Sequence, residues 1–256
     1  LHVPAGDQPV LGLTSAPDDR TVAARVGSDV AWFEIPGGLA PVRAHRLDYV
    51  YTPAVDPAAD LAAIAVTGRG DIALIDAAGR ERALLGHRGP VWSLDFSRDA
   101  RALLSASEDA TARLWDLRTG AARLLAADSV PVLKAMLSPD AARAATRSED
   151  GSLRLWDLRG ADPLRGELLL APDRGGALDF GFSPDGRWLV GLAAEAAAYL
   201  WDVQAEGPPR RLEHDGPPLD HCWEPAARWL AIGDDDGAVR VWDPRAEAPL
   251  QVHRGH

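Results

Sequence analysis

Short stretches in which apolar and polar residues alternate recur along the whole chain. Segment 110–117 (ATARLWDL) puts Ala110, Ala112 and Leu114 on one face and Thr111, Arg113 and Trp115 on the other. The same alternation runs through 151–158 (GSLRLWDL) and 237–244 (GAVRVWDP). Successive strand side chains point to opposite faces, so a period of two predicts strands rather than helices. Around the first of these segments the pattern predicts strand a at 91–97, a turn at Arg98-Asp99-Ala100, strand b at 102–107, strand c at 110–117 and strand d at 121–125. Turn chemistry agrees: Ser183-Pro184-Asp185-Gly186 sets proline where φ near −65° suits a tight turn and glycine where φ is positive. The Ala-rich run 193–198 is helical by composition, yet it falls across the end of one strand b and the start of the next strand c. Register is expected to override propensity there, and the fold class is expected to be all-β.

These strand groups repeat. Trp-Asp pairs stand at Trp115-Asp116, Trp156-Asp157, Trp201-Asp202 and Trp242-Asp243, with spacings of 41, 45 and 41. Stepping back by the same period reaches Ile75-Asp76 and Phe33-Glu34, each an apolar residue followed by an acid. A second marker, an Xaa-Pro turn at Pro17, Pro57, Pro139, Pro184 and Pro225 with Arg98 in the missing place, keeps the same period. Six repeats of four strands follow, at approximately 9–47, 49–87, 90–126, 131–170, 175–214 and 218–253, in a single domain over 1–256, with 1–6 a strand of a preceding repeat.

At these residues the chain resembles the WD-repeat (WD40) family, most fully from Gly86-His87 through Trp115-Asp116. The resemblance implies a β-propeller: each repeat a four-stranded antiparallel blade, the blades packed face to face round a central channel. Two closures stay open, a six-blade ring or an incomplete seven-blade ring. The resemblance also assigns a hydrogen-bonded structural network to His87, Ser107, Asp109 and Trp115. A serine, a histidine and an aspartate together imitate a hydrolase triad, but no G-x-S-x-G elbow surrounds Ser107, so the structural role is preferred. Repeat four keeps Ser148, Asp150 and Trp156, with Asp128 in the histidine's place. Repeat five keeps Trp201, with Glu195 at the turn and no aligned histidine. Repeat six keeps His214, Asp236 and Trp242, with Asp234 at the serine position.

Composition narrows the function. The 256 residues carry a formal charge of −11, which argues against nucleic acid, since that partner needs a basic face. No apolar run reaches the roughly 18 residues of a membrane span. A lone cysteine, Cys222, implies no oxidising compartment and is expected to be a buried, inert thiol on a strand a; a cytoplasmic location is expected. Heavy use of Ala, Arg and Gly with a single lysine, Lys134, points to a GC-rich genome. The start at Leu1-His2 and the closing Gly255-His256 lead us to expect part of a larger bacterial protein.

Function in such a fold sits on loops. The loops before strand a and between strands b and c carry Asp128, Glu149, Asp173, Arg174, Asp215, Asp220, His221, Asp234 and Asp235, with Glu108 beside Asp109. Acids prevail, so the expected partner is a protein or peptide, basic in character. Tyr51 and Trp92 hold equivalent places near the start of strand a and are candidate aromatic anchors. The run Asp234-Asp235-Asp236-Gly237 lacks calcium-loop spacing and is expected to be a tight turn, and no histidine pair has close ligand spacing; no metal or cofactor is expected. The leading expectation is therefore a non-catalytic interaction scaffold. Its alternatives are a sensor domain appended to a bacterial signalling ATPase, kinase or protease and, more remotely, an enzyme with its site at the channel mouth.

Overall fold

The alternating segments form antiparallel meanders. In the computed structural model, residues 10–15, 21–26, 29–34, 43–46, 54–55, 61–65, 70–76, 80–127, 129–159, 166–171, 176–205, 207–246 and 248–254 are described. Their strands form six four-stranded sheets. The first holds β1 (Val10–Ser15), β2 (Thr21–Val26), β3 (Asp29–Glu34) and β4 (Arg43–Arg46), and the second β5 (Ala54–Val55), β6 (Leu61–Ala65), β7 (Ile72–Asp76) and β8 (Glu81–Leu84). The third holds β9 (Val91–Phe96), β10 (Ala102–Ser107), β11 (Thr111–Asp116) and β12 (Ala122–Ala127). The fourth holds β13 (Val132–Leu137), β14 (Arg143–Ser148), β15 (Leu153–Asp157) and β16 (Glu167–Leu170). The fifth holds β17 (Ala177–Phe182), β18 (Trp188–Ala193), β19 (Ala197–Asp202) and β20 (Arg210–Glu213), and the sixth β21 (Pro218–Trp223), β22 (Leu230–Asp234), β23 (Ala238–Trp242) and β24 (Pro249–Arg254). In every sheet each strand pairs with its sequence neighbour. Among the described residues there is no helix, hence none long and apolar enough to cross a membrane. The Ala-rich run ends β18 and begins β19, so strand pairing does override its helical composition.

The chain divides into two compact units, one of residues 1–135 with 162–164, the other of 136–161 with 165–256. In the first, Ile72, Leu74 and Leu84 of the second sheet pack with Val91, Leu94, Leu103 and Trp115 of the third. In the second, Leu189 and Trp201 of the fifth sheet pack with Leu153 and Leu170 of the fourth. Val190, Leu192 and Leu200, on the opposite face of that fifth sheet, pack with Leu230, Ile232 and Trp242 of the sixth. A sheet covered on both faces has no polar side, which is why β18 is buried at all six positions instead of alternating.

The tight turns carry a repeated device. Between β9 and β10, Ser97 Oγ donates to Asp99 at 2.7 Å and accepts from the Ala102 amide at 2.9 Å. Ser138 with Asp140, and Ser183 with Asp185, repeat it. The residue that turns the chain back has positive φ, and only one of the four, Gly186 at 70°, is glycine; Ala100, Ala141 and Ala227 hold the same place. After strand c the acid of each Trp-Asp pair closes the next turn: Asp116, Asp157, Asp202 and Asp243 accept the amides of Thr119, Arg159, Gln204 and Arg245. The tryptophan anchors the sheet and its neighbouring acid shapes the turn.

Candidate functional site

The third sheet brings one chain of proton donors and acceptors together. The indole N–H of Trp115 donates to Ser105 Oγ at 2.8 Å, Ser105 Oγ lies 2.7 Å from His87 Nε2, and His87 Nδ1 lies 3.0 Å from Asp109 Oδ2. Asp109 also accepts the Arg88 amide, the Thr111 amide and the Thr111 hydroxyl. Burial lowers the pKa of His87, outweighing the opposing pull of Asp109. A neutral ring with its proton on Nδ1 donates to Asp109 and accepts from Ser105, so every donor has an acceptor. Burial pushes Asp109 up, but the Thr111 hydroxyl, the Arg88 amide and His87 together bring it down to about 2.

The serine is not the expected one. Ser107 Oγ instead donates to the carbonyls of Gly89 and Pro90, fixing the loop before β9. The reason is register: Trp115 pairs with Leu103, so Ser105 is its diagonal neighbour on the same face and Ser107 lies two residues further off. Ser105, His87 and Asp109 do stand in the order of a hydrolase triad. Ser105 is 0% exposed, however, and its oxygen already receives the indole proton, so no acyl group can reach it.

The other repeats use the same diagonal place differently. In β14 it is Thr146, whose hydroxyl accepts from Trp156 at 2.9 Å, rather than Ser148. Ser148 is buried at the end of β14, and Asp150 accepts the Ser152 amide across the turn. In β18 the place falls to Gly191, where an added Cβ would meet the Trp201 ring at 3.0 Å; no side chain there can accept from that indole. In β22 it is Ile232, and Trp242 Nε1 finds no partner among the described residues. His214 nevertheless keeps its place, 6.0 Å from the Trp242 ring, as His87 does from Trp115. Its carboxylate is Asp234 at 2.6 Å, not the expected Asp236, which caps the β22–β23 turn by accepting the Ala238 amide. Arg240 ion-pairs with Asp234 and, at 2.6 Å, with Asp215. Burial and then the Arg240 charge lower His214 to about 4.

The expected loop residues separate into three groups. Tyr51, Asp128, Asp173 and Arg174 lie outside the described residues. Asp234 is buried, so it cannot meet a partner; its charge is needed by His214 and Arg240. Asp215 is exposed but held by Arg240 and Arg254, both at 2.6 Å. Glu108, Glu149, Asp220 and Asp235 are exposed, while Trp92 and His221 are half-buried. Cys222 sits on β21 as expected but is exposed, because it points away from the face of that strand that meets the fifth sheet.

The family model described as WD domain, G-beta repeat matches residues 79–116 and 208–243. The matches fall on the repeats that hold His87 with Trp115 and His214 with Trp242, the two buried histidine junctions among the described residues. Two curated relatives share short stretches with the chain. The SAGA complex/transcription factor TFIID complex subunit Taf5 of Schizosaccharomyces pombe is 58% identical over 36 residues, 14% of this chain and 6% of that protein. Transcription initiation factor TFIID subunit 5 of Drosophila melanogaster is 53% identical over 38 residues, 15% of this chain and 5% of that protein. Both relatives are eukaryotic, so the expected bacterial origin finds no support in them.

Proposed function

We propose that the chain is a non-catalytic scaffold of WD repeats whose sheets close as propeller blades and whose b–c turns engage a basic segment of a protein partner. The observation that carries this is a repeated exposed acid. Glu108, Glu149 and Asp235 hold equivalent positions in the turns after β10, β14 and β22, each one residue before the acid that caps the turn. A net charge of −11 adds long-range attraction for a basic ligand and repels nucleic acid. The names of the two relatives, each a subunit of a transcription factor complex, support a protein as the partner. The exposed thiol of Cys222 supports a reducing compartment such as the cytoplasm.

The test is a pull-down with the wild-type chain against a Glu149→Arg/Asp235→Arg variant, together with binding of an Arg/Lys-rich peptide at low and high salt. Loss of partners and of peptide in the variant, with salt-sensitive binding in the wild type, is expected. Identical partner lists would remove the acidic turns from the function.

A further inference from the structure

Sheets five and six, both in the second unit, meet along their first strands, β17 and β21. Strand a has a recurring core position there: Leu94, Ala135 and Phe180 are buried and apolar, but the sixth repeat places His221 at it. The imidazole lies over β17 where the chain has no side chain to oppose it, for a Cβ added at Gly181 would collide with Nε2 of the ring. A polar ring set into an apolar position, with a glycine making room for it, calls for a ligand-type role rather than packing.

Two carboxylates converge on the same point. Asp179 of β17 and Asp220 of β21 hold equivalent positions in their repeats, each just after a break in pairing register at Leu178 and Leu219. Such bulges re-aim the side chains that follow them. Ligand atoms of Asp179, Asp220 and His221 all lie within 4.8 Å of one another. Two carboxylate oxygens and one imidazole nitrogen suit a borderline divalent transition metal better than magnesium or calcium, which favour all-oxygen sets.

We propose that Asp179, Asp220 and His221 bind one divalent transition-metal ion of the zinc class, clipping β17 to β21. Asp220 is exposed and the other two are half-buried, so water completes the coordination from the solvent side. The site does not depend on the acidic turns or on their partner.

The experiment uses the untagged full chain, stripped with chelator and titrated calorimetrically with zinc chloride and separately with magnesium chloride. One equivalent of zinc is expected to bind and to raise the melting temperature, with magnesium giving no comparable heat. Asp179→Asn and His221→Gln should each weaken zinc binding at least about tenfold, while Cys222→Ser, which removes the adjacent exposed thiol, should leave it unchanged. Melting of each stripped variant checks folding, and Asp220→Asn, at an exposed position, repeats the test where a folding defect is least expected. No zinc binding, affinity unaltered in all three ligand variants, loss in Cys222→Ser, or magnesium binding as tight as zinc would each overturn the assignment.

Discussion

Replacing Ser105 by alanine tests the junction in the third sheet more sharply than removing its histidine. The change takes away one hydroxyl in a 0% exposed place and leaves two buried groups without partners, the Trp115 indole N–H and His87 Nε2. Each orphaned group costs roughly 1–3 kcal/mol, so a loss of about 2–6 kcal/mol is expected. Ser107→Ala is the control. It removes a hydroxyl that bonds two carbonyls and accepts the Asp109 amide at 3.2 Å; Pro90 O keeps the Glu108 amide at 2.9 Å, and about 1–2 kcal/mol is expected. Ser105→Thr should restore most of the loss, because Thr146 does this work for Trp156. Because the chain comprises two compact units, the readout should be local: hydrogen exchange at the Trp115 indole, followed alongside urea denaturation. Exchange should quicken in Ser105→Ala and stay slow in Ser107→Ala. Equal costs for the two alanines, or an indole indifferent to Ser105, would refute the hydrogen-bond order assigned here.

Acid should loosen the second unit early. His214 has a folded pKa of about 4 against an ordinary value of 6.5, so the unfolded chain takes up a proton that the folded one refuses. That stability is whole above pH 6.5 and is lost as the pH falls toward 4, by up to roughly 3 kcal/mol. His214→Gln should flatten the slope in urea melts across this window; an unchanged slope would place the titration elsewhere. In the fifth sheet, Gly191→Ser supplies the hydroxyl that Ser105 and Thr146 provide in the third and fourth, yet it should destabilise by roughly 1–3 kcal/mol, because Leu153 and the Trp201 ring both stand 3.0 Å from the added Cβ. A rise in melting temperature in that variant would show that the indole can make room.

The period of the Trp-Asp pairs was enough to predict strands, turns and their order, because both markers report geometry local to a repeat. The choice of serine was beyond it. Ser105 and Ser107 share a face of β10, and only the pairing of Leu103 with Trp115 shows which one the indole reaches. The same holds for Asp234 and Asp236, one turned into the sheet and one into the turn. The group at Asp179, Asp220 and His221 joins residues about one repeat apart, so a search for close ligand spacing passes over it. The usable signal is different in kind: equivalent positions in successive repeats come side by side, and a histidine stands where the third, fourth and fifth repeats carry Leu94, Ala135 and Phe180.

Asp234 also bears on how such a chain could be re-engineered. A consensus design would compare the repeats column by column, find serine at 107 and 148, and write serine at 234. That edit would strip His214 of its carboxylate and leave Arg240, 5% exposed, with only the solvent-facing Asp215 to balance it. Averaging over repeats treats each column as independent, whereas here the acid, the histidine and the arginine form one interacting unit that must be copied or replaced together.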